Sequence, residues 1–177
     1  MSDFLSFTLE NIRSGGAFMS WMESRRLELA PLLAARLKYI LEGRTFVLMC
    51  DEQRSWYEEY FLKNINSKPN RPLLPFVSLN ALYKKNIQNQ EDISLLNDLL
   101  DSYFPNGFVY FYIGSANSDK SLIARSKDDS LLWLFDEQLQ DSFYLNSKDK
   151  DLDIKLITLY KLFDKSLEAI LFSKVSI

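Results

Sequence analysis

Six consecutive residues, Phe108-Val-Tyr-Phe-Tyr-Ile113, are apolar or aromatic with no charged or amide side chain among them. A strand with one wet face alternates with a period of two, and this segment does not. Both its faces must therefore be covered, which places it inside a parallel sheet with helices on either side. Ser118 to Ser126 reads as a short crossover helix leading to a second apolar strand, Leu131 to Phe135. Together they predict a βαβ unit with the usual right-handed connection.

The rest of the chain fits around that unit. Residues 3–13 predict a first helix, closed by Ser14-Gly15-Gly16. Ser20 and Glu23 have the spacing of a capping box, and Trp21, Leu27, Leu33, Leu37 and Leu41 continue an apolar stripe to Gly43, with Pro31 expected to kink or divide it. Thr45 to Cys50 predicts a buried strand, with Asp51 capping a helix over 52–65. That helix carries Trp56, Tyr57, Tyr60 and Phe61, an arc too wide for one packed stripe. A proline-rich connection leads to a short strand, Phe76 to Leu79, then to a helix through Ile93, Leu96, Leu100 and Tyr103. A weaker strand, Ser142 to Leu145, precedes the clearest helix, Leu152 to Leu171. The expectation is one three-layer α/β domain over 1–177, Rossmann- or flavodoxin-like, with about five mainly parallel strands and two extra N-terminal helices.

Composition removes several chemistries. The chain has no His and one Cys, so it cannot build a Ser-His-Asp or Cys-His site or a zinc or iron-sulfur centre from such ligands. Five glycines among 177 residues leave few loops able to wrap a phosphate. A net charge of −3 with interspersed signs gives no basic stripe for nucleic acid. No 18-residue apolar span and no secretory signal is legible, and the lone Cys50 suits a reducing compartment. A cytoplasmic protein is expected, with no membrane contact and no direct nucleic-acid binding.

Two stretches lie at the carboxyl ends of the strands, where open α/β sheets bind ligands. Gly114-Ser-Ala-Asn-Ser-Asp-Lys-Ser121 matches the phosphate-binding P-loop at all prescribed positions but one. The exception is Asp119, which puts a side chain and a negative charge where glycine should let the backbone embrace phosphate. Asp51, Glu52, Asp136 and Glu137 make the rim acidic and would need a metal such as Mg²⁺ to take a phosphorylated ligand; helix capping and solvated charge are the plainer reading of them. No catalytic residue, cofactor or metal is assigned.

Arg71-Pro-Leu-Leu-Pro-Phe-Val-Ser-Leu-Asn-Ala-Leu-Tyr83, Phe108 to Gly114, Asp129 to Gln138, Leu152 to Ile157 and Leu162 to Lys165 stand in the order and wording of the HobA family, which the chain resembles over essentially its whole length. The resemblance implies a sugar-isomerase-like (SIS) fold, related in shape to DiaA. It also implies a non-enzymatic adaptor that binds domain I of the replication initiator DnaA and, as a homotetramer, promotes its assembly at the chromosomal origin. No small-molecule substrate is then expected. The alternative is an SIS-type sugar-phosphate binding protein or isomerase, for which Asp51-Glu52-Gln53 and Asn80-Ala81-Leu82 lack the usual Ser/Thr- and Gly-rich loops.

Two candidate surfaces follow. Leu171 and Phe172 resemble an apolar Leu-Phe pair at the similar place in DiaA, and with Trp56, Tyr57 and Tyr60 they are the candidate initiator contacts, with packing of Leu171 and Phe172 onto the sheet as the alternative. Trp21, Leu27, Leu33 and Leu37 are the candidate subunit contacts, with packing into the chain's own core the alternative for each.

Overall fold

The computed structural model describes residues 2–177. In chain order the elements are β1 (Ser2–Asp3), α1 (Phe4–Ser14), α2 (Arg26–Leu37), β2 (Thr45–Cys50), α3 (Ser55–Ile65), β3 (Phe76–Ser78), α4 (Leu79–Leu82), α5 (Gln90–Tyr103), β4 (Phe108–Ser115), α6 (Asp119–Ala124), β5 (Leu131–Phe135), β6 (Ser142–Leu145), α7 (Leu152–Leu171) and β7 (Val175–Ser176). Strands β2 to β6 form one all-parallel sheet in the order β3-β2-β4-β5-β6. That is the flavodoxin-like doubly wound order, with its switch point between β2 and β4.

The central run is covered on both faces, as its lack of alternation requires. Val109, Phe111 and Ile113 of β4 join Phe46, Leu48, Leu131 and Trp133 in a core closed by α1, α2, α3 and α7. Phe108, Tyr110 and Tyr112 point the other way, into a smaller core with Val47, Met49, Leu132 and Leu134 beneath α5 and α6. At the centre of the larger core, Phe111 and Phe163 stack at 5.3 Å while Trp133 meets both edge-on, at 4.8 and 5.9 Å. Such pairs add about 0.5–1.5 kcal/mol each beyond the area they bury. Gly107, at φ +82°, makes the turn that delivers the chain into β4.

Three local readings change. The Ser20 and Glu23 capping box does not form: Ser20 Oγ donates to the Ala17 carbonyl, and Glu23 pairs with Arg13 at 2.6 Å. Two short 3₁₀ turns, Gly16–Phe18 and Ser20–Met22, precede a helix that begins only at Arg26. Pro31 does not divide that helix. It lies exposed on the solvent side, so the missing N–H costs the Leu27 carbonyl one bond where water replaces it. Finally, β1 and β7 pair in parallel and tie the two described ends together, through residues with no strand pattern of their own.

The sheet's last strand is sealed by side chains. Just before α2, Arg25 Nη1 donates to the Tyr144 carbonyl at 2.5 Å, and on the helix Glu28 Oε1 accepts the Tyr144 N–H at 3.3 Å. Arg25 and Glu28 also pair with each other at 2.8 Å. The free edge of β6 thus has both backbone groups of Tyr144 occupied.

Candidate functional site

In a doubly wound sheet the crevice at the switch point is where strand ends splay and a ligand enters. Here that crevice lies between Cys50-Asp51 and Gly114-Ser115, at the floor of an open cleft of ≈ 1170 Å³. Its own side chains close it. Asp51 is buried and caps the turn after β2 by accepting the Arg54 N–H at 3.1 Å. The same carboxylate pairs with Arg54 Nη1 at 2.6 Å and accepts the Ser115 N–H at 2.7 Å. The amide that a phosphate loop would turn toward its ligand is therefore already bonded to an anion belonging to the protein.

Other groups of the apparent P-loop are also engaged, except the Ser121 hydroxyl, which is buried without a hydrogen-bond partner among the described residues. Lys120 Nζ donates to the Cys50 carbonyl at 2.7 Å. Ser118 Oγ caps α6 by accepting the Ser121 N–H at 3.1 Å. Burial pushes the Tyr112 hydroxyl up to about 12, so it stays protonated and donates to the Ser115 carbonyl at 2.7 Å. Gly114 is needed for this packing: a Cβ there would stand 2.3 Å from that hydroxyl and 2.8 Å from Asp51 Oδ2.

Of the other rim carboxylates, Glu52 and Glu137 are exposed, and Asp136 has a separate task. Asp136, in the left-handed region at φ +63°, accepts from Ser147 Oγ at 2.5 Å and Ser147 N–H at 2.9 Å, which hold its carboxyl below the usual range. Glu58, buried beneath β2 and β3, takes the Cys50 N–H at 3.0 Å and the Ser78 hydroxyl at 2.5 Å. Among the described residues, no group of three or more His, Cys, Asp or Glu is placed to hold a metal ion. Cys50 is buried, and that burial pushes its thiol well up.

The candidate contact residues divide by exposure. Phe172 is 47% exposed and Trp56 36%. Leu171 and Tyr60 are half-buried, packed onto the larger core. Tyr57 is a correction: it is fully buried, and its hydroxyl donates to the Leu156 carbonyl at 2.8 Å, so it holds α3 to α7 and presents nothing outward. Leu33 and Leu37 are corrected likewise, since both are fully buried in the monomer's core and leave no surface for a subunit contact. Trp21 is half-buried, its Nε1 donating to Thr158 Oγ1 at 3.3 Å. Leu27 is 64% exposed, and Phe18 beside the same helical layer is exposed too, a residue the apolar stripe did not single out.

By fold and site, this is a doubly wound parallel α/β scaffold whose switch-point crevice is closed by its own capping carboxylate, lysine and tyrosine. Comparison with known proteins is specific. Residues 1–177 match the model of the family described as HobA, DNA replication regulator. The DNA replication regulator protein HobA of Helicobacter pylori is 32% identical, with both chains covered in full. A crystal structure of a HobA-DnaA (domain I-II) complex from Helicobacter pylori superposes with a TM-score of 0.78 at 31% identity, covering 100% of both chains. A crystal structure of HobA from the same organism gives 0.73 at 32% identity, over 100% of this chain and 99% of that one. The chain belongs to the HobA family of DNA replication regulators. Among the described residues, no helix is long and apolar enough to cross a membrane.

Proposed function

We propose that this chain is a non-enzymatic adaptor that binds DnaA through its domain I and, as a cytoplasmic homotetramer, arranges several initiators for assembly at the replication origin. The observation that carries the reading is the full-length likeness, at a TM-score of 0.78, to a HobA chain in complex with DnaA domains I–II. The closed switch point supports the adaptor role, because the groups that would grip a small anion are spent on one another. Several identical sites on one symmetric body hold bound partners at high effective concentration and fixed orientation, with no contact to DNA required.

Trp56 and Phe172 are the contacts this reading assigns to the initiator, both exposed aromatics on the face of the sheet that carries α3 and α7. Leu27 and Phe18 are the exposed apolar residues of the N-terminal layer and the assigned subunit contacts. The test is light scattering coupled to size exclusion, with the chain alone and mixed with purified DnaA domains I–II. A tetramer that takes up DnaA, and loses it on Trp56→Ala or Phe172→Ala with unchanged circular dichroism, is the expected result. A monomer that ignores DnaA overturns the proposal.

A further inference from the structure

On the opposite face of the sheet, α5 buries Ile93, Leu96 and Leu100 against the smaller core. A helix of this kind normally turns charge of mixed sign to water. This one does not. Leu95, Leu99 and Tyr103 recur at every fourth residue, 63%, 51% and 66% exposed. At 100° per residue they form one continuous outer stripe. Tyr103 is further fixed by an edge-on contact with Phe104 at 4.9 Å. Glu91, Asp92, Asp98 and Asp101 are the charged residues of α5, and it has no Lys or Arg. Glu91, Asp92 and Asp98, four or three residues from Leu95, stand beside the stripe with the neutral Ser102. Two leucines and a tyrosine thus make an apolar anchor row whose charged neighbours on the helix are all acidic.

We infer that the outer face of α5 is a second docking surface, and that it takes a cationic amphipathic helix of a partner protein. The recognition is by charge and spacing. Apolar residues of the incoming helix at intervals of three and four would pack on Leu95, Leu99 and Tyr103, and its Lys or Arg residues would flank Glu91 and Asp98. The same acidic rim repels nucleic acid and anionic lipid, and it disfavours α5 pairing with α5 of a second copy, which would set like charges together. This surface lies across the sheet from Trp56 and Phe172, so an adaptor built this way engages two partners without competition.

The test uses the full chain and two synthetic amphipathic helices, one of leucine and lysine and one of leucine and glutamate, each labelled for fluorescence anisotropy. The parent should bind the lysine peptide, with affinity falling as salt rises. Leu95→Ser/Leu99→Ser should weaken that binding about tenfold or more, as removal of interface anchors does. Glu91→Lys/Asp98→Lys should reject the lysine peptide and accept the glutamate one, and Trp56→Ala should leave both affinities unchanged. Because all four substituted α5 positions are exposed, circular dichroism should stay as in the parent. The inference is overturned if the lysine peptide does not bind, or if it binds the α5 variants as well as the parent. It is equally overturned if sedimentation shows the serine variant to be a smaller assembly than the parent, because a second copy of the chain then covers the stripe.

Discussion

The Asp51 carboxylate stands 2.7 Å from the Ser115 backbone N–H, 64 residues on in sequence. It joins the end of β2 to the end of β4 across the switch point. In a ligand-binding sheet those two ends stay apart and their amides face the ligand. Here the protein supplies the anion itself, and Arg54 neutralises it at 2.6 Å. The joint is at once a helix cap, an ion pair and a seal, so its removal has a defined signature.

Asp51→Ala would leave Arg54, whose side chain is 8% exposed, without its carboxylate, and would strip the partner from two N–H groups. Removing one member of a buried pair costs about 3–5 kcal/mol. Urea unfolding should show a loss of that size. The freed guanidinium and amides should also take an external anion, so inorganic phosphate should raise the unfolding midpoint of the variant more than that of the parent. Equal phosphate effects would mean that the seal is not what keeps the crevice closed to anions.

Edge protection by Arg25 and Glu28 gives a second expectation. Arg25→Ala/Glu28→Ala removes charge-assisted hydrogen bonds from both backbone groups of Tyr144. The folding cost should be small, about 1–2 kcal/mol, because the pair is partly solvated. The larger effect should be association. An unblocked parallel edge is a template for pairing, so static light scattering should rise with protein concentration in the double variant while the parent stays unchanged.

Core and surface leucines of α2 should separate cleanly. Leu37→Ala removes a fully buried side chain and should lower stability by about 2–5 kcal/mol. Leu27→Ala, at a position 64% exposed, should change stability by less than about 0.5 kcal/mol. If the proposed subunit contact is right, Leu27→Ala alone should reduce the mass measured by sedimentation. A mass change on Leu37→Ala at temperatures where it remains folded would restore that buried residue as a contact.

The architecture was legible in the sequence because the central strands announce themselves: Phe108 to Ile113 and Leu131 to Phe135 have no wet face, and strands of that kind occur between helical layers. Asp51 as a cap was also legible, since its cap is local, from Asp51 to Arg54. What escaped is nonlocal. Asp51 reaching Ser115, Arg25 and Glu28 reaching Tyr144, and β1 pairing with β7 all join residues distant in sequence, and no spacing rule encodes them. Tyr57, Leu33 and Leu37 face inward, against the sequence expectation, for a related reason. A helix packed on a broad aromatic core buries a wide arc, so apolar excess on a helical wheel does not say which residue faces out. The charge of α5 was legible too, but its meaning needed the exposure of Leu95, Leu99 and Tyr103.

Acid should weaken the fold through the network that ties the proline-rich segment to α7. Glu168 is held below its ordinary 4.5 chiefly by its hydrogen bond to Lys68, whose Nζ stands 2.8 Å away. Burial works against the Lys68 charge, but hydrogen bonds to Asp164 and Glu168 prevail and hold it above its ordinary 10.5. A carboxyl depressed in the folded state binds its proton later than the unfolded chain does, so its contribution is complete well above pH 4.5 and disappears as pH falls through the lower folded value. Asp149, depressed by Lys155, and Asp136, depressed by Ser147, act in the same direction from their ordinary 3.8. The raised Lys68 acts oppositely: its contribution is full below 10.5 and is lost as pH climbs through the folded value. Urea midpoints should therefore be level across neutral pH and fall on both sides. Glu168→Gln should flatten the acid limb and lower the neutral plateau by less than about 1 kcal/mol, since the pair is partly solvated. An acid limb as steep in Glu168→Gln as in the parent would remove this network from the account of acid sensitivity.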